Sequence, residues 1–175
     1  DMSRDYGYTD DPEYMIGINL GFSWKNWEVS TQWTGAWNVS RMISDVFRRP
    51  FLSSAGNQYG GLLSYHLNNT WTEDNPSQSA KYPRATWENA DNNYAESTLY
   101  EQDAKYLRLK TLQIAYNFQV PFMKKLGLNT MQLAFSGYNL LTFTPYLWGD
   151  PETRASSSPS YPLSKTYTLS LKLGF

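Results

Sequence analysis

The last twelve residues of the chain, Ser164 to Phe175, alternate between apolar and polar side chains. One parity carries Tyr167, Leu169, Leu171, Leu173 and Phe175, and the other carries Thr166, Thr168, Ser170, Lys172 and Gly174. Alternation with a period of two predicts a β-strand with one apolar and one polar face. Twelve residues inclined by about 40–45° rise about 25–30 Å, which is close to the apolar band of an outer-membrane barrel.

Two further alternating stretches near the start of the chain predict a β-hairpin. They cover residues 14–24 and 27–39, and only Lys25 and Asn26 lie between them. A two-residue connection between alternating strands is typical of a tight hairpin. Trp24 and Trp27 flank this turn, where an aromatic belt of a barrel is expected to meet the lipid headgroups.

Alternation returns at residues 105–119 and 128–143. In the first of these stretches Leu107 and Leu109 share one parity, whereas Leu112 and Ile114 share the other. A β-bulge near Lys110 and Thr111 would bring both halves onto one apolar face. The sequence therefore predicts five strands, at 14–24, 27–39, 105–119, 128–143 and 164–175.

The connections alternate in length along the chain. Residues 1–13, 40–104 and 144–163 form long, turn-rich segments, whereas 25–26 and 120–127 are short. Outer-membrane barrels have long extracellular loops and short periplasmic turns, so this alternation favours a barrel over a soluble sandwich. Five strands are too few to close any such barrel, since the known sizes begin at about eight. We therefore expect an all-β fold that forms a sector of a transmembrane antiparallel β-barrel.

Composition narrows the function classes further. Aromatic residues make up 17% of the chain, and aromatic girdles are one way in which a barrel uses such residues. The formal net charge of −1 provides no basic surface for nucleic acid. There are no cysteines, so disulfides and thiolate metal sites are excluded. Mean hydropathy is −0.59 and the sequence has no run of eighteen apolar residues, which excludes a transmembrane helix.

The chain offers little for catalysis or metal binding. His66 is the only histidine, and a lone loop histidine is weak support for a hydrolase. The acidic segments at residues 10–11, 73–75 and 91–93 lack the spacing of a calcium loop. We therefore predict no enzyme activity, no catalytic residue, no metal site and no cofactor.

Several segments together resemble a known transporter family. They are YLRLKTLQIAYNFQVP (106–121), KKLGLNTMQLAFSGYNLLTFTPY (124–146), WGDPE (148–152), YPLSKTYTLSLKLGF (161–175), and the shorter DPEY (11–14) and NPSQSAKYPR (75–84). In order and spacing they resemble the C-terminal part of SusC/RagA-like TonB-dependent outer-membrane transporters. Each motif alone is weak, but together they are specific and they span most of the chain.

The resemblance implies a plugged barrel of 22 strands, of which these would be the last five. It implies location in the bacterial outer membrane, contact with TonB through an upstream plug segment, and a SusD-like surface lipoprotein that acts as a lid. It also implies import of oligosaccharides or peptides, and the aromatic loop favours glycans. Phe175, the terminal aromatic, is the expected barrel-assembly signal.

Candidate binding residues follow from position and chemistry. Exposed aromatic rings beside hydrogen-bonding groups suit a sugar or a partner protein, so the ligand or partner candidates are Trp71, Tyr82, Trp87 and Trp148. The alternative is that the loop aromatics pack against one another. On the polar parity, the candidates for lumen or plug contacts are Asn19, Glu28, Gln32, Arg108 and Lys172.

Three other functions remain open on the sequence alone. A siderophore-type TonB-dependent receptor would work without a lid lipoprotein. A passive porin or an adhesin barrel would have no upstream plug. A soluble β-sandwich lectin would need no detergent.

Overall fold

A computed structural model describes residues 7–49, 53–54, 57–58, 63–86, 92–119, 127–153 and 163–175. The chain divides into two compact units. The first, here called the loop unit, comprises Asp1–Pro12, Asn38–Ala104 and Tyr146–Tyr161. The second, here called the sheet unit, comprises Glu13–Trp37, Lys105–Pro145 and Pro162–Phe175.

The sheet unit is one antiparallel sheet of five strands, as the alternation predicts. Its strands are β1 (Tyr14–Trp24), β2 (Trp27–Trp37), β7 (Tyr106–Phe118), β8 (Thr130–Phe143) and β9 (Thr166–Gly174). They lie in the order β1-β2-β7-β8-β9, so neighbours in the sheet are also neighbours in chain order among these strands. This up-and-down arrangement is the one that barrels use.

The β1–β2 hairpin is paired along its whole length. Its register runs from Trp24 opposite Trp27 at the turn to Tyr14 opposite Trp37 at the far end. The turn residue Lys25 has φ +54°. The backbone carbonyl of Asn26 accepts a hydrogen bond of 2.8 Å from the backbone N–H of Asn117 on β7. The turn is therefore tied to the next strand of the sheet.

The predicted bulge in β7 is confirmed. Lys110 has no partner in the register, which passes from Leu109 to Thr111 against both neighbouring strands. On β8 the same irregularity skips two residues, one of which is Asn139 with φ +53°. The bulge changes the parity of β7, so Arg108 shares a face with Gln113 and not with Leu112.

The two faces of the sheet differ sharply in chemistry. The apolar face carries large side chains from every strand, and many are highly exposed, such as Leu20 at 59%, Phe22 at 64% and Leu169 at 72%. These exposures show that no described part of the chain covers the apolar face. On the polar face, by contrast, Ala115 and Ala134 lie opposite each other and are buried.

The loop unit has a small core of its own. Its secondary structure comprises β3 (Ser40–Met42), α1 (Asp45–Arg48), β4 (Ser53–Ser54), β5 (Asn57–Gln58), α2 (Ser64–Asn69) and β6 (Glu101–Asp103). β3 pairs with β6, and β4 pairs with β5. The core contains Ile43, Tyr82, Tyr94 and Tyr100. None of the helices in the described ranges is long and apolar enough to cross a membrane.

Close strand packing at Gly35 generates a testable prediction. A Cβ added there would lie 2.9 Å from the Tyr106 carbonyl oxygen and 3.2 Å from Ile16 Cγ2. Because the nearest atom is backbone, Gly35→Ala is expected to destabilise the full-length protein by about 1–3 kcal/mol. Its thermal unfolding midpoint should fall accordingly.

Gly21→Ala is the matched control, since an added Cβ there meets nothing within 4 Å. Its effect should stay within about 0.5 kcal/mol. Equal midpoints for the two variants would contradict the close β1–β2–β7 packing.

Candidate functional site

The polar face of the sheet carries a hydrogen-bonded row that crosses three strands. Asn117 on β7 donates through Nδ2 to Glu28 Oε1 on β2 at 2.8 Å, and Gln132 on β8 donates through Nε2 to Asn117 Oδ1 at 2.9 Å. Lys172 on β9 is in register with Gln132. The row thus joins a carboxylate on β2 to side-chain amides on β7 and β8, and Lys172 on β9 lies beside the last of these amides in the register of the sheet.

All five lumen or plug candidates lie on this polar face. Asn19 is paired in register with Gln32, and Thr111 Oγ1 lies 3.4 Å from Gln32 Oε1. Glu28 belongs to the row described above, and Lys172 lies in register with Gln132, the last residue of that row. Arg108 reaches the same face only because of the bulge at Lys110. The sheet therefore places on one face residues that are as many as 153 positions apart in sequence, counted from 19 to 172.

Arg108 differs from the other four because it is buried. Only 2% of its surface is exposed, and its Nε donates to Thr142 Oγ1 at 3.0 Å. Its guanidinium carbon lies 5.7 Å from the centroid of the Tyr106 ring. A buried guanidinium held by a hydroxyl and a ring is a fixed positive charge, so Arg108 is a packed, structural part of the sheet.

Aromatic residues collect at both ends of the apolar face. At the hairpin end, Trp27 and Tyr116 contact edge to face at 4.8 Å, and Tyr116 contacts Phe118 in the same way at 4.8 Å. At the other end Tyr14 lies opposite Trp37. The ten residue steps from Tyr14 to Trp24, inclined as in a barrel, separate the two ends by about 25 Å.

Tyrosine rings fill the core of the loop unit. Tyr82 contacts Tyr65, His66 and Tyr100, with ring centroids 6.1, 4.7 and 5.9 Å away. Burial raises the pKa of Tyr82 well above its ordinary value and raises the pKa of Tyr100 to about 12, against the opposing charge of Arg48. These hydroxyls therefore stay protonated and act as hydrogen-bond donors.

One ligand candidate needs correction. Tyr82 is only 2% exposed, and its hydroxyl donates to the Phe47 carbonyl at 3.0 Å. Because its ring and hydroxyl are both engaged inside the loop unit, Tyr82 is a core residue and offers no surface to a sugar or partner. The alternative that loop aromatics pack against one another describes Tyr82.

The other ligand candidates differ from one another. Trp148 is half-buried between Phe47 and Tyr65, at ring distances of 5.1 and 4.9 Å. Its Nε1 is buried and has no hydrogen-bond partner among the described residues. Trp71 is half-buried, and its backbone amide donates to the Tyr82 carbonyl at 3.0 Å. Trp87 lies outside the described residues.

His66 connects the two helices of the loop unit. It is fully buried, its Nδ1 accepts from the Leu63 amide at 3.3 Å, and its Nε2 donates to the Phe47 carbonyl at 2.7 Å. Both ring nitrogens are thus used for structure. The described ranges contain no group of three or more His, Cys, Asp or Glu side chains that could hold a metal ion.

Arg41 is a key residue that sequence reasoning missed. It is 4% exposed, and its Nη1 donates to the Asp10 carbonyl and pairs with the Asp10 carboxylate at 3.4 Å. Its Nη2 donates to the Pro151 carbonyl at 3.3 Å. Both partners lie in or beside Asp-Pro-Glu tripeptides, at 11–13 and 150–152. The repeated tripeptide marks the two partner segments in the sequence, but it gives no indication that Arg41 contacts both of them.

Comparisons with known proteins agree with the fold. No protein-family profile matches the chain. TonB-dependent receptor P3 of Formosa agariphila is 27% identical over 177 residues, which cover 94% of this chain and 16% of that receptor. TonB-dependent receptor P26 of the same organism is 26% identical over 181 residues, which cover 94% of this chain and 17% of that receptor.

Solved structures of the RagAB peptide importer are also similar. In the open-open state the TM-score is 0.66 and in the closed-closed state it is 0.69. Each has 26% sequence identity and covers 96% of this chain and 18% of the solved one. The resemblance to SusC/RagA-like TonB-dependent transporters is confirmed, and the chain spans 16–18% of the length of these relatives.

The contacts of Arg41 predict a local loss of stability on substitution. Arg41→Ala removes a buried guanidinium together with its two hydrogen bonds, so the loop unit should lose about 2–4 kcal/mol of local stability. Limited proteolysis of the full-length protein should then cut the loop unit faster, with sites mapped by mass spectrometry.

Arg84→Ala is the control, because the Arg84–Glu73 pair is 62% and 75% exposed. An exposed pair contributes at most about 1 kcal/mol, so its cleavage rate should stay close to wild type. Equal protection of Arg41→Ala and wild type would disprove the joining role of Arg41.

Proposed function

We propose that this chain forms part of the wall of a TonB-dependent importer in a bacterial outer membrane. The main support is the two-faced sheet, whose apolar face is exposed while its polar face carries a hydrogen-bonded row. In lipid every backbone group needs a partner, and a closed barrel of such strands satisfies this need. The relatives are named as receptors and importers, none of which denotes an enzyme.

The apolar face would contact lipid and the polar face would contact the interior of the barrel. Exposed leucines on β9, with 72% exposure at Leu169 and 56% at Leu171, suit a hydrocarbon environment and would be unfavourable in water. The polar row from Glu28 to Gln132 suits an upstream plug, because its amides and charges can pair with another polar surface. TonB would act through that plug and not through these strands.

The segments at 1–13, 40–104 and 144–163 would lie on the cell surface. This orientation follows the rule that outer-membrane barrels have long external loops and short periplasmic turns. In this proposal the loop unit supplies a folded surface to a SusD-like lid lipoprotein, with Trp71, Trp87 and Trp148 as remaining candidates for partner or ligand contact. Phe175, which is 84% exposed, remains the proposed assembly signal.

Among substrates, we propose peptides before oligosaccharides. The aromatic loop was the reason to favour glycans, but Tyr82, Tyr94 and Tyr100 are buried and cannot stack on sugar rings. The similar solved structures are those of the RagAB peptide importer. An oligosaccharide substrate remains the alternative, because the half-buried Trp71 and Trp148 keep some ring surface exposed.

Purification of the native full-length protein in mild detergent tests the transporter and its lid together. We expect a stoichiometric lipoprotein, identified by intact mass and peptide mapping. Titration of that complex with defined oligopeptides and with defined oligosaccharides would then identify the substrate class. A barrel without a lipoprotein would favour the siderophore-type receptor, and a protein without a plug would favour a porin or adhesin.

If the apolar face contacts lipid, an arginine on that face of β9 should cost more folding free energy than an arginine on the polar face. Leu169→Arg places a charge among Phe22, Val29, Ile114 and Phe135, which share its register row. A lipid-facing arginine near the bilayer midplane should cost about 2–4 kcal/mol. Folding into liposomes at graded urea concentrations measures this cost in the full-length protein.

Thr168→Arg is the matched control, since it adds the same side chain one residue away on the polar face. Its cost should be below about 1 kcal/mol if that face lines a polar interior. Equal costs for both variants would refute the assignment of the faces.

A further inference from the structure

The tip of the β1–β2 hairpin places a positive charge over one of two exposed indole rings. Trp24 and Trp27 are paired in register, and their exposures are 56% and 44%. The Nζ of Lys25 lies 4.7 Å from the centroid of the Trp24 ring. Because Trp24 belongs to the apolar face, the ammonium of Lys25 is held on that side of the sheet.

The backbone at Lys25 is unusual for a lysine. Three non-glycine residues in the described ranges have positive φ, and the other two, Asn38 and Asn139, are asparagines. Asparagine tolerates this left-handed region, whereas lysine adopts it rarely. Two-residue hairpin turns also favour Asn, Asp or Gly at this point. A strained lysine at a hairpin tip therefore suggests a role for its side chain.

The charge of Lys25 has no ionic partner in the described part of the chain. No described carboxylate lies within 4.0 Å of its ammonium, and the side chain is exposed. Glu28, three positions away, belongs to the polar face and accepts from Asn117 at 2.8 Å. An exposed cation above an aromatic ring thus remains available for an external anion.

We propose that Trp24, Lys25 and Trp27 bind the phosphate of a glycerophospholipid headgroup. This inference rests on the proposed function, because it requires the apolar face to lie in a bilayer. The indole rings would sit at the level of the headgroups, where aromatic belts are found, and the acyl chains would cover the apolar face below them. The ammonium would then lie beside the phosphate and attract it.

The aromatic surroundings favour a lipid over free phosphate. A free phosphate would use only the ammonium, since the two exposed indole rings offer mainly apolar surface. A phospholipid uses both parts of the site, with its phosphate near Lys25 and its glycerol and acyl region on Trp24 and Trp27. The ligand we assign is therefore an anionic glycerophospholipid in the leaflet at the hairpin end.

Lys25→Asn tests this site without disturbing the turn, because asparagine tolerates positive φ. The full-length transporter would be delipidated in mild detergent and titrated with phosphatidylglycerol, with bound lipids resolved by native mass spectrometry. We expect the apparent affinity of one lipid to fall about fivefold in the variant, as removal of one interfacial lysine implies. Lys25→Arg should keep the wild-type affinity, and the thermal midpoint of Lys25→Asn should not fall.

Lys172→Gln is the matched control, because it removes the same charge from the polar face. Its phosphatidylglycerol affinity should equal that of wild type. Equal affinity of Lys25→Asn and wild type would overturn the site, and so would displacement of the lipid by millimolar inorganic phosphate. A wild-type protein that is soluble without detergent and retains no lipid would instead refute the proposed function.

Discussion

The structure depends on one constraint, which is that successive side chains of a strand point to opposite sides of the sheet. Each strand of the sheet unit keeps most of its large apolar residues on one side, so a single slip in register would exchange the two faces. In β7 the apolar residues change parity between Leu109 and Leu112, and the bulge at Lys110 keeps both halves of the strand on the same apolar face. Without it, Leu107 and Leu109 would face the polar row and Arg108 would face the exposed apolar surface.

Two kinds of polar interaction support this arrangement. On the sheet, the Glu28–Asn117–Gln132 row joins β2, β7 and β8 by side chains as well as by backbone. In the loop unit, Arg41 joins segments that are 31 and 110 positions away in sequence. The sheet row lies on an exposed face, so its remaining hydrogen-bonding capacity suits further polar partners, whereas the contacts of the buried Arg41 are internal to the loop unit.

The aromatic residues serve two purposes that composition cannot separate. In the sheet unit they mark the ends of an exposed apolar band, as Trp27, Tyr116 and Trp37 do. In the loop unit they form most of the core, and the hydroxyls of Tyr82 and Tyr100 donate to the backbone carbonyls of Phe47 and Asn93. A high aromatic content therefore reflects both an exposed apolar sheet face and an aromatic core, and it gives weaker support to sugar binding than it first suggests.

The sequence by itself determined the five strands of the sheet unit, their two faces, the short hairpin, the bulge and the transporter resemblance, because each depends on local alternation or on motifs of adjacent residues. The tertiary structure alone decided the pairing that aligns Asn117 with Glu28, the burial of Tyr82 and the convergence of Asp10 and Pro151 on Arg41. Residues 40–104 show no period, so their packing could not be read from pattern. Contacts between residues distant in sequence depend on how the chain folds back on itself, and no local pattern encodes that path.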